Sequence, residues 1–502
     1  MLTFADARVF LNPAPVAPRQ PVLPVALVGH VPGAARPERL SRALREPWHG
    51  LGLQQREQQL DHALANGPAG DDDDALLALH HLPLALDSHA QFLDLFPDAG
   101  TAATGPAAPV GAAPWLPLAV EDFFAAGGER LWLVRVPEGE GRGGLLPAHP
   151  GDPARPDTLR GLDVALNVPD IGLVALPDLE RLQLPAGLDP LPDFTPAPAQ
   201  ARFVPVDELA RADAVPTPPP SLLSPPWPLA EVVRRLCARF ETWRPDVQAL
   251  LTLPLAATLD GGAQPDAAAL AWLAALDGEE LRRAQRLQPL YPYLRGRRAP
   301  LASATGLVAG TIAASAFRDG PWRSVAGRDL GGDALPWPVQ TPRSAAQLRR
   351  SPGVGVLLAR DGRLVLDDER LPGGLPDTRA EQPGLPQPPA RTAYYRSAEV
   401  LRFVNWLLRR LDALGQRLVF VSDPDDPRPA LLLEDFFARL HALGALRGAR
   451  FEDACTIRRA AAGAAALAFE IEIAPAVPVD AITLTLAPVD GDWRAQAVAG
   501  RG

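Results

Sequence analysis

Between residues 394 and 475 the chain carries helix, strand, helix and strand signals in succession, without a proline-rich interruption. Val400, Phe403, Val404, Leu407, Leu408, Leu411 and Leu414 recur at the three-and-four spacing of one helical face, which predicts an amphipathic helix over 397–414. Gly415 is its stop, and the β-branched and aromatic run 417–422 reads as a buried strand ended by an Asp/Pro turn at 423–427. A second helix over 429–446 opens with proline in its first turn and carries Leu432, Leu433, Phe436, Phe437, Leu440 and Leu443 inward. Leu467, Phe469, Ile471 and Ile473 alternate with Ala468, Glu470 and Glu472, the pattern of a strand with one buried side. Two one-faced helices and a one-faced sheet must cover each other, so a layered α/β unit follows.

The remainder reads as shorter units joined by prolines. With 502 residues, 47% of them hydrophobic, the chain is long enough for two to four domains with substantial cores. The 58 prolines and 42 glycines cluster between elements, which predicts long ordered loops rather than low complexity. A net charge of -10 argues against a nucleic-acid partner, and all 49 basic side chains are arginines. Cys237 and Cys455 match no metal or disulfide spacing, which suits a reduced, intracellular setting. No signal-peptide pattern is visible at the start, and no apolar run approaches the ~18 residues that span a bilayer.

Residues 1–22 combine Phe4, Val9 and Phe10 with repeated prolines and read as an extended arm. A strand is expected over 22–28 and a short helix over 36–45, while 46–110 gives only weak helical and apolar signals. A helix from Leu116 ends at Gly127-Gly128 and leads to a strand over 130–136. Further expectations are a helix at 162–167, strands at 171–176 and 247–253, and helices at 230–239, 267–275 and 278–286. Residues 185–228 form a proline-rich excursion. The small-residue stretch 302–315 places Gly306 and Gly310 where close helix packing is possible, and 354–366 reads as a hairpin around Asp361-Gly362.

No catalytic constellation is visible. Gly141–Gly144 lacks the Gly-Lys-Ser/Thr of a phosphate loop, and neither cysteine sits in a nucleophile motif. The Asp71–Asp74 run lacks alternating calcium-ligand spacing and reads as a solvated loop. His80, His81 and His89 have no ligand spacing for zinc. No metal and no cofactor is expected.

Several stretches resemble one family in their order. L-A-V-E-D-F-F-A-A-G-G-E-R-L-W-L-V-R-V at 118–136, I-G-L-V-A-L-P-D at 171–178 and G-L-V-A-G-T-I-A-A-S-A-F-R-D-G-P-W at 306–322 are similar to segments of the sheath proteins of contractile phage tails and related injection systems. R-L-V-F-V-S-D-P-D-D-P at 417–427, the Phe436-Phe437 helix with G-A-L-R-G at 444–448, and F-E-I-E-I-A-P-A-V-P-V-D-A-I at 469–482 resemble that family's C-terminal domain. The matches are scattered over about three quarters of the chain.

The resemblance implies a multidomain α/β architecture: an arm at 1–22, outer α/β material at 23–298, and a C-terminal sheath domain at 299–502 ending in an extension strand. It implies a non-enzymatic subunit that polymerises with itself around an inner tube protein, meets baseplate and terminator or cap proteins and other sheath paralogues, and drives ejection by contraction. Assembly in the cytoplasm, followed by incorporation into a phage-tail-like particle, is expected. Phe4, Val9 and Phe10 of the arm, and Ile482, Leu484 and Leu486 alternating with threonines near the C-terminus, are the candidates for strand exchange between subunits. Proline at Leu484 is expected to spare the fold and stop polymerisation. Glu434, Asp435 and Arg439 are candidates for a tube-facing surface, with a solvated face as the alternative. Two other readings are open: a minor, cap or baseplate component of the same fold, and an α/β enzyme whose proline-rich insertions close over a site.

Overall fold

The computed structural model describes residues 23–100, 110–185, 225–258, 262–296, 299–332, 334–373, 396–418, 426–460, 468–477, 482–489 and 492–498, together with Leu188 and Leu191. The 1–22 arm with Phe4, Val9 and Phe10 and most of the expected 417–422 strand lie outside the described residues; Gln416–Leu418 is a 3-10 turn.

The strands, in chain order, are β1 (Val25–Gly29), β2 (Pro83–Leu86), β3 (Leu131–Arg135), β4 (Leu173–Ala175), β5 (Gln248–Thr252), β6 (Leu255–Ala257), β7 (Ala263–Pro265), β8 (Leu287–Tyr291), β9 (Tyr293–Arg295), β10 (Leu335–Trp337), β11 (Gly355–Arg360), β12 (Arg363–Leu366), β13 (Cys455–Ala460), β14 (Ala468–Ile473), β15 (Ile482–Val489) and β16 (Asp492–Val498). Eight of them make one sheet in the order β12-β11-β8-β5-β4-β1-β3-β2. Its six inner strands are parallel, and each outermost strand is antiparallel to its neighbour. The inner strands are mostly apolar and, apart from the end of β11, buried, as parallel strands covered by helices must be. β6 pairs β7 and β9 pairs β10 as small ribbons.

Gly306 and Gly310 explain how the Thr305–Asp319 helix reaches this core. A Cβ at either position would collide with the backbone of Ala119 or Phe123 in the Leu116–Ala125 helix, so only glycine permits the approach the sequence suggested. The expected helices at 162–167, 267–275 and 278–286 are present, the last one ending at Ala284. β8 escaped the sequence reading because Pro289 interrupts it and Gln288 is buried within it.

The C-terminal unit is a four-stranded antiparallel sheet, β13-β14-β15-β16, covered on one face by the Ala398–Gly415 and Arg428–Ala442 helices. Its core contains Val400, Phe403, Leu407, Leu433, Phe437, Phe469, Ile471, Leu484 and Trp493, and it also recruits Trp322 from the segment before β10. The eight-stranded sheet takes strands from both sides of residue 298 and ends at β12, so the two packed units meet beyond Leu366 rather than at 298/299. The 398–415 helix joins them. Its Arg409 donates to Asp246 Oδ2 at 3.1 Å, and Arg244 closes on the same carboxylate at 2.8 Å. Among the described residues, no helix is long and apolar enough to cross a membrane.

Candidate assembly surfaces

A sheet exposes hydrogen-bonding groups only at its edges, so the edges decide what the chain can pair with. Both edges of the large sheet are covered by the chain itself. On β2, Trp48 Nε1 donates to the Pro83 carbonyl at 2.8 Å. On β12, the Gly327 and Leu330 amides donate to the Leu366 and Leu364 carbonyls, each at 2.8 Å. In the C-terminal sheet, β16 is partly covered, since its Ala495 amide donates to Asp412 Oδ1 at 2.7 Å and Gly415 lies against Trp493. Burial pushes the Asp412 carboxyl upward, against the pull of the Ala495 hydrogen bond.

β13 differs. Among the described residues no strand lies along its outer edge. The Ala474 amide donates to the Ala454 carbonyl, and with Cys455 opposite Ile473 this register turns the backbone groups of Cys455, Ile457 and Arg459 away from β14. The sequence reading missed this strand because C-T-I-R-R-A mixes two arginines into a short run.

Ile482, Leu484 and Leu486 lie on β15, which is paired on both sides, and all three side chains are buried in the C-terminal core. They hold the sheet to its helices rather than facing an open edge. Glu434, Asp435 and Arg439 sit together on the exposed face of the 428–442 helix, where Asp435 and Arg439 form an ion pair at 2.7 Å. Leu431 shares that face and is 58% exposed.

In open parallel sheets, ligands bind beyond the strand C-termini where the strand order reverses, which in this chain is between β1 and β4. That crevice is filled from within. Asp178, fully buried, accepts the amides of His30 (2.8 Å), Trp115 (2.8 Å) and Leu116 (3.1 Å) and pairs with Arg181 Nε at 2.7 Å. A helix N-terminus able to hold an anion thus holds the protein's own carboxylate. The sequence marks Pro177-Asp178 only as the end of a strand.

A cavity of about 260 Å³ lies elsewhere, between Leu53, Arg56, Asp72, Leu76, His80, His81 and the 156–160 loop. Burial, reinforced by Arg135, pushes His80 down to about 4. Burial also lowers His81, against the opposing Glu140 carboxylate. His81 Nδ1 accepts the Gly161 amide at 3.0 Å, which puts its hydrogen on Nε2, 3.2 Å from Glu140. Leu79 and His81 adopt positive φ without being glycine, so this turn is strained. Arginines and aspartates both line the cavity and select no ligand charge.

No protein-family model matches the chain, and no curated protein matches it in sequence. Solved structures do. A chain in the cryo-EM structure of the anti-feeding prophage baseplate, 6-fold symmetrised, is 15% identical with a TM-score of 0.52, covering 95% of this chain and 97% of that one. The helical sheath of the anti-feeding prophage in its contracted state gives 15% identity and a TM-score of 0.49 over 95% and 98%. The sheath tail protein Lin1278 from Listeria innocua gives 9% and 0.45 over 93% and 95%. The first likeness shows the fold: over that shared length, this chain has the mixed α/β architecture of that baseplate-structure chain. The resemblance drawn from the motifs is met at this level.

Proposed function

We propose that the chain is a structural subunit of a contractile, phage-tail-like assembly that polymerises around an inner tube. The fold likeness to a chain of the anti-feeding prophage baseplate structure carries this reading. It is supported by the placement of sheet edges: the large unit closes its own, while among the described residues no strand lies along the outer edge of β13, which could take a strand from a neighbouring copy whose main-chain hydrogen bonds would supply affinity. The filled crevice at Asp178 favours the structural reading over an α/β enzyme. In this reading the C-terminal unit carries the linkage between copies, the 1–22 arm supplies a strand, and Glu434, Asp435 and Arg439 face the tube. Its partners are further copies, the tube protein, baseplate and cap components and sheath paralogues, and it assembles in the cytoplasm before joining the particle. A baseplate or cap role is the second reading, favoured by the baseplate origin of the chain in the first comparison.

Electron microscopy of the native particle with the chain labelled tests both. Hundreds of copies along the tail are expected for a sheath, and a single ring for a baseplate or cap subunit. Strictly monomeric protein that forms no ring or tube with its co-expressed genomic partners would sink the proposal.

A further inference from the structure

We propose that Glu369, Arg402 and Glu399 form a proton-dependent latch between the two units, closed while Glu399 carries its proton and weakened when that proton leaves. The latch belongs to the folded chain and does not depend on the assembly reading.

Its geometry starts at Glu369, three residues beyond β12 and fully buried. Glu369 Oε1 and Oε2 accept Arg402 Nη1 and Nη2 at 3.0 and 3.2 Å, a two-point contact between the large unit and the 398–415 helix. Glu369 Oε2 also accepts the Val325 amide at 3.0 Å, and the Glu369 carbonyl accepts the Ala398 amide at 2.9 Å. One residue therefore ties together the turn after Trp322, the exit of β12 and the first turn of the helix. Leu371, Ala398 and Leu401 form a small apolar cluster beside it.

Glu399 lies in the same seam, 8% exposed, and its Oε2 has no hydrogen-bond partner among the described residues. The charged groups facing it are Glu369 from the large unit and Arg402 from its own helix. Arg370 and Arg396 flank the seam at the bridge between Arg370 and Ser397, and Arg370 is bound to Asp368 at 2.8 Å. Arg402 commits both terminal nitrogens to Glu369, so a second carboxylate in the seam leaves two buried anions facing one cation. Burial first, and then the Glu369 charge, push Glu399 up to about 7, against hydrogen bonds from Ser397 and its own backbone and the attraction of Arg402. A carboxyl raised in the closed form stabilises that form fully below its ordinary range, and the contribution is lost as pH rises through about 7. The joint thus loosens on the alkaline side.

Hydrogen exchange of the full chain, corrected for intrinsic rates, at about pH 5.5 and about pH 7.5 tests this. Amides in 399–405, 325–327 and 369–371 are expected to lose protection together, on the order of tenfold, with β14 and β15 unchanged. Glu399→Gln, and independently Glu399→Met, are expected to keep the joint protected at both pH values. Wild-type protection that does not change, variants that keep the wild-type pH response, or a loss running equally through β14 and β15 would each overturn the latch.

Discussion

The interior of the large unit is fixed by carboxylates whose partners are backbone amides. Asp178 gathers amides from residues 62 to 148 positions away, and no pattern in the local sequence marks that role, because hydrophobic periodicity reports which face is buried and not where a polar group finds its partner. Glu180, 1% exposed, shows the energetic side of the same design. Its Oε1 accepts the Thr252 amide at 2.8 Å, yet burial outweighs that bond and pushes the carboxyl up to about 8. It therefore enters neutral solution protonated. Its contribution is complete below the ordinary carboxylate range and is lost as pH rises through about 8, a term on the order of 5 kcal/mol for a fully buried group. Glu180→Gln should flatten the fall of the thermal midpoint between about pH 5 and about pH 9, read by circular dichroism melts. An unchanged slope would assign the alkaline loss to other groups.

At the scale of elements, the amphipathic helices and the one-faced strand β14 were legible because their apolar residues keep a strict period through the whole element. Strands β13, β16 and β8 were not, since arginines, alanines and a proline break their pattern and pairing with neighbours overrides it. This moves the assembly test. β15 is a central strand with Leu484 fully buried, so proline there removes a ladder bond inside the sheet and unfolds the C-terminal unit instead of sparing it. Ile457 on β13 is the better position, because its amide points away from β14. Ile457→Pro should cost the isolated chain only about 2 kcal/mol while stopping polymer growth, checked by melting curves and electron microscopy on the same preparation. Normal tubes from that variant would remove β13 from the linkage.

For the whole molecule, the decisive feature is that two cores meet through charged pairs as well as apolar contact. Burial works against the Asp246 carboxylate, but the Arg244 and Arg409 guanidiniums beside it prevail and hold it below its usual range. Arg409→Met removes one of those guanidiniums from a part-buried site and should weaken docking by about 2 kcal/mol. Calorimetry is expected to resolve two unfolding transitions in place of one; a single transition shifted as a whole would mean the units unfold together regardless. The unequal treatment of the edges has a further consequence. If β13, whose outer edge carries no strand among the described residues, is where each new copy attaches, growth has a direction and a vulnerable tip. A short peptide able to lie along β13 would then act as a chain terminator, and the length distribution of the filaments would report its dose.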